Sequence, residues 1–206
     1  AVVGTIEARG GKARAFKADL TDPAQNTALV ESVVAAFGTV DILVNNVGDF
    51  AGALLEAIDV SHVPSPMLGN VYGPIFATQA AVKHLSRASS GGSVVNVSAI
   101  ASHHSLPGMS VYAATKAAVN ALTRTWAQEL APKSITVNAV APGPVDTDML
   151  RSAGFDGDAL RFLVTRTPLG RVGVPADVAS VIAFLVSADA RWITGQVIDT
   201  AGGFLP

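Results

Sequence analysis

The stretch VDILVNN, residues 40–46, decides the fold. It is short and β-branched, and its apolar positions run on instead of alternating with polar ones. It therefore reads as a strand covered on both faces, the kind that parallel sheets contain. Runs of the same kind recur at ARAFKADL (13–20), GGSVVNVS (91–98), SITVNAVAPG (134–143) and GQVIDT (195–200). Helical patterns separate them: one opened by Pro23 and running to Phe37, one over 67–87, one over 110–130 ending near Pro132, and one from Pro175 to about residue 187. Strands alternating with longer helices are the signature of βαβ units. The expectation is an α/β fold with a Rossmann-like, doubly wound parallel sheet. In SHVPSPMLGN (61–70) two prolines interrupt the pattern, which predicts that the second helix begins at or after Pro66.

Composition bounds the rest. The 206 residues are half apolar and 15% charged, with no linker-like stretch, which suits one domain over 1–206. A net charge of −2 without a Lys/Arg-rich run gives no footprint for nucleic acid. Zero cysteines exclude disulfides and thiol chemistry, and the four histidines show no metal-ligand spacing, so no metal is expected. The adjacent His103 and His104 read as loop residues. No apolar run has the length of a membrane span and no signal peptide opens the sequence, so the reading is a cytoplasmic protein without a membrane partner.

In open parallel sheets ligands bind beyond the carboxyl ends of the strands, which here are the segments DLTD, NNVGD, SAIASHH and APGPVDTDM. Beside them lies SVYAATKAAVNAL (110–122), where Tyr112 and Lys116 stand four residues apart and so share a helix face. Such a spacing alone is commonplace. A tyrosine is a poor base at neutral pH, and an ammonium one turn away favours its phenolate, so Lys116 is expected to lower the pKa of Tyr112.

Four segments taken together, VNNVG (44–48), NVS followed by Tyr112-x-x-x-Lys116, NAVAPGPVDT (138–147) and TGQVIDTAGG (194–203), resemble in order and spacing the short-chain dehydrogenase/reductase family. The resemblance covers nearly the whole chain. It implies NAD or NADP as cofactor and hydride transfer between it and a ketone or secondary alcohol, with Tyr112 as acid/base and Lys116 as its electrostatic partner and ribose ligand. Asp19 and Leu20 match the positions around the adenine, and Asn45, Asn46, Val47 and Gly48 match the turn beside the adenosine half. Asn70 matches a helix asparagine that holds a water near the lysine. Pro142, Gly143, Val145 and Thr147 match the turn that holds the nicotinamide amide, although Thr147 also reads as a helix cap. The resemblance further implies a homodimer or homotetramer. It makes 149–174 a substrate lid, with Leu150, Phe155, Leu160, Phe162 and Leu163 as an apolar pocket wall or, equally, as a helix packed on the core.

Two departures stand out. The family's active-site serine lies thirteen residues before the tyrosine, a position that is Ala99 here. Ser98, turned inward by a bulge, is the candidate replacement, with Ser102 or His103 behind it. Second, no TGxxxGxG strand-turn-helix occurs in these 206 residues. The sequence therefore reads as a domain whose N-terminal βαβ portion is missing, part of a longer natural chain. ARAFKADL is left without a sheet neighbour and VDILVNN becomes an apolar edge. The alternative reading is a non-catalytic or impaired binding or assembly subunit.

Overall fold

The computed structural model describes residues 2–85, 91–104 and 106–204. Four parallel strands, β1 (Ile42–Asn45), β2 (Gly92–Val97), β3 (Ile135–Pro142) and β4 (Val197–Thr200), lie in the order β1-β2-β3-β4. Each crossover carries helix: α4 (Gly73–Leu85), α5 (Ser110–Leu130) and α8 (Pro175–Leu185). Successive side chains of one strand serve opposite layers. Val94 of β2 packs with Val30, Leu85, Ile135 and Val137 under α2 (Pro23–Phe37), α4 and α5, whereas Val95 packs with Val140, Val178 and Leu185 under α8. Both faces of β2 and β3 are covered, which is why their sequences are apolar without alternation.

Local signals set the helix bounds. Asp22 accepts a hydrogen bond from the Ala24 amide at 2.8 Å, Pro23 takes the first helical position, and Gly38 ends α2 in the left-handed region at φ 87°. No helix among the described residues is long and apolar enough to cross a membrane.

Two expectations are corrected. Residues 13–20 form no strand, because a strand exists only as part of a ladder and no partner lies beside this segment among the described residues. β1 is accordingly an edge, with Ile42 46% and Val44 39% exposed. The second helix starts earlier than expected, as α3 (Pro64–Met67), since prolines fit a first turn whose amides have no helical acceptor anyway. A five-residue π turn, Leu68–Tyr72, then leads into α4. Pro74 has no N–H for the Asn70 carbonyl, and the helix widens just before it. The end of the expected 67–87 helix lies outside the described residues.

Candidate active site

A cavity of about 840 Å³ opens beyond the carboxyl ends of the strands. Its inner wall comes from the turns after β1, β2 and β3 and from the first turns of α5. Its outer wall comes from α6 (Asp148–Ser152) and α7 (Gly157–Thr165), with Ile182 of α8 and Phe204 closing the end.

Tyr112 and Lys116 both line the inner wall. The Tyr112 ring stands edge-on to Phe50, with centroids 5.2 Å apart. Lys116 is only 4% exposed, and its Nζ donates to the Val97 carbonyl at 2.9 Å, 5.7 Å from the Tyr112 ring centre. Burial pushes the Tyr112 phenol up to about 12 and the Lys116 ammonium down to about 8. This reverses the expected direction for Tyr112. Desolvation disfavours both charges, and the ammonium is directed at a backbone carbonyl.

Asn70 sits in the π turn and is fully buried. Its Nδ2 donates to the Asp49 carbonyl (2.8 Å) and to Thr115 Oγ1 (2.9 Å), and its Oδ1 accepts from the Asp49 amide (2.7 Å). It thereby clamps the turn after β1 onto α5. Gly48 lies under this clamp: a Cβ there would come 2.8 Å from Asn70 Oδ1 and 3.3 Å from Lys116 Nζ, so no larger residue fits.

Asn46 and Gly48 line the cavity, while Asn45 is buried in the next layer, donating to Thr78 Oγ1 (3.0 Å) and Asn96 Oδ1 (2.8 Å). Val47 is exposed outside the cavity lining. Asp19 and Leu20 lie away from the cavity: Asp19 accepts from the Thr21 amide and hydroxyl, and Leu20 rests against Gly73. Pro142, Gly143, Val145 and Thr147 all line it. Thr147 Oγ1 also accepts from the Leu150 amide, capping α6.

Where the resemblance expects a serine, Ala99 presents a methyl group to the cavity. Ser98 Oγ lies 2.6 Å from Asn120 Oδ1 and 3.3 Å from the Lys116 carbonyl, so its one hydrogen is directed into α5. Ser102 and His103 are not in the cavity lining: Ser102 pairs with His103 and Asn120, and His103 with Asp199. On the outer wall Leu150, Phe155, Phe162 and Leu163 contribute, and Leu160 does not. Sequence reasoning missed Phe50, Leu106, Met109, Ile182 and Phe204. No local pattern marks them, because the fold brings them from separate segments.

A family model described as enoyl-(acyl carrier protein) reductase matches residues 1–205. The chain belongs to the short-chain dehydrogenase/reductase family. An uncharacterized oxidoreductase of Methylorubrum extorquens is 46% identical over 204 residues, 98% of this chain and 81% of that protein. The 3-oxoacyl-[acyl-carrier-protein] reductase of Thermotoga maritima is 40% identical over 201 residues, 97% of this chain and 80% of its own length. Among solved structures, a blue fluorescent protein from a metagenomic library in complex with NADPH superposes with a TM-score of 0.89 at 36% identity, covering 100% of this chain and 81% of that one. Members of this family use NAD(P), and their oxidoreductase chemistry is that of this fold.

Proposed function

We propose that the protein transfers a hydride between NAD(P) and a ketone or secondary alcohol, with Tyr112 as the acid/base and Lys116 beside it. The observation that carries this reading is the meeting of a partly buried Tyr112 and a buried Lys116 on one face of α5, inside an apolar cavity at the carboxyl edge of a parallel sheet. The residues fit the cofactor. An ammonium has three N–H groups, and Lys116 spends one on the Val97 carbonyl, leaving donors for the ribose hydroxyls of a nicotinamide nucleotide. Gly48 keeps the wall next to it thin. Pro142, Gly143, Val145 and Thr147 would hold the nicotinamide amide, and Asn46 the adjoining nucleoside. Asp19, Leu20, Asn45 and Val47 remain farther from this part of the site, with Asn45 supporting the wall from behind.

When bound, NAD(P)H would supply the hydride for the carbonyl carbon. The chain's own work is to hold the substrate and give its oxygen a proton. Burial keeps the Tyr112 phenol protonated at neutral pH, so the proton that the carbonyl oxygen needs is in place before the hydride arrives. The Lys116 charge near the phenol eases the loss of that proton while it lasts, and the charge is lost above about 8. Asn70 acts as a positioning residue for Gly48 and α5. Ser98 serves the same helix by holding Asn120. The cavity wall of Leu150, Phe155, Phe162 and Leu163 suits an apolar ketone, and 149–174 acts as its lid. By analogy with the family the working unit is a homodimer or homotetramer, with α4 and α5 in the contact.

Ala99 favours a second reading, a binding or assembly subunit of low turnover, because a missing oxyanion donor costs about 3 kcal/mol of transition-state stabilisation. Titration of NADPH and NADH by fluorescence separates the readings. Saturable binding followed by NADPH oxidation with an apolar ketone supports the reductase, binding without turnover supports the subunit, and no binding ends both nucleotide roles.

A further inference from the structure

We propose that His103, His104 and Asp199 bind one divalent transition-metal ion of the zinc class. The histidines stand on the loop leaving β2, and Asp199 lies on β4, 96 residues from His103. One ligand atom from each residue falls within 4.8 Å of the others. His103 Nε2 is 3.1 Å from the Asp199 carboxylate. Zinc-like ions hold nitrogen and oxygen ligands at about 2.0–2.2 Å, so two such ligands sit roughly 2.8–3.6 Å apart around the ion, from octahedral to tetrahedral geometry. The His103–Asp199 spacing is already an edge of that polyhedron, and His104 closes it by side-chain rotation.

The surroundings orient the first ligand. His103 Nδ1 lies 2.9 Å from Ser102 Oγ, which accepts from Asn120 Nδ2 at 2.7 Å, and Asn120 is held in turn by Ser98. A metal-bound histidine needs its other ring N–H occupied by such a partner. With the proton on Nδ1 and donated to Ser102, the Nε2 lone pair faces a carboxylate, an arrangement that calls for a cation between them. In the other tautomer the Nε2 hydrogen bridges to Asp199. The ion takes that hydrogen's place as the ring keeps one N–H on Nδ1, so no proton is lost overall.

Three protein ligands at a partly exposed position make an open site with room for water, unlike a closed structural one. Imidazole and carboxylate select Zn²⁺, Co²⁺ or Ni²⁺ over hard cations, and no cysteine competes. The consequence is local: the ion ties the loop bearing Ala99, Ile100 and Ala101, all in the cavity lining, to β4. It is independent of the reaction proposed above.

The test is titration of the untagged full chain with Co²⁺, followed by its d–d absorption, and with Zn²⁺ by calorimetry. One equivalent of Zn²⁺ should bind and raise the melting temperature. His104→Ala and Asp199→Asn should each weaken binding at least about tenfold. The second variant keeps a hydrogen-bond acceptor for His103, so its fold is preserved. His62→Ala, at another histidine–aspartate pair with a 3.1 Å contact, should change nothing. Absence of saturable one-to-one binding, or binding indifferent to both His104→Ala and Asp199→Asn, overturns the proposal.

Discussion

The two walls of the cavity are built differently. The inner wall rests on buried polar side chains that hold one another: Asn70 joins the turn after β1 to α5, Asn45 and Asn96 join β1 to β2, Asn96 reaches Thr123, and Ser98 holds Asn120. Every such bond fixes a backbone segment, and leaving any one unmade costs the desolvation of a buried group. Among the described residues the outer wall has no such chain of paired polar side chains, only the buried Thr167 donating to the Leu163 carbonyl. In α7 only Leu163 is buried, and the nearby charges pair at the surface, Arg151 with Asp146 and Arg161 with Asp158. The difference separates tasks: reacting groups need fixed geometry, while a wall that admits substrate must move.

That contrast can be broken at several points. The largest expected effect is on packing. Ile135→Ala, in the layer behind the inner wall, should lower unfolding stability by about 2–5 kcal/mol as read by urea denaturation. Leu163→Ala should shift the urea midpoint less and instead quicken proteolysis within 149–174, where the proposed lid would open on its own. Equal midpoint shifts would show that the lid is as integral as the sheet.

Next in size is the inner wall's missing donor. Ala99→Ser should raise kcat for ketone reduction on the order of 10²-fold with NADPH affinity unchanged. No gain would mean that the carbonyl oxygen is met elsewhere.

A smaller effect comes from pH. Folded Lys116 gives up its proton near 8, while the unfolded chain keeps it to about its ordinary 10.5. Between those values the unfolded state binds more protons, so stability should rise with pH, and Tyr112 opposes this only above its ordinary 10.0. Lys116→Met should flatten that rise in urea midpoints measured across the window. The smallest effect is expected at the lid surface, where Arg161→Ala should leave the midpoint unchanged, since its partner Asp158 is solvated.

The sequence carried the helices and strands whose signals are local, such as the Asp22–Pro23 cap and the apolar runs of β2 and β3. It also carried Tyr112, Lys116 and the turn from Pro142 to Thr147 through their order along the chain. Which of two neighbours faces the cavity was not legible: Asn45 and Asn46 match one motif, yet strand alternation sends the first into the core and the second to the site. Residues 13–20 have the composition of a strand, and only pairing makes one. The clamp at Asn70 and the meeting of His103 with Asp199 join segments far apart in sequence, so no spacing rule could reveal them.

The central claim is that Tyr112 delivers the proton. Single-turnover oxidation of bound NADPH by an apolar ketone tests it most directly in wild type and Tyr112→Phe. The account predicts a rate lowered about 10²–10⁴-fold with NADPH affinity retained. An unchanged rate in Tyr112→Phe would contradict it.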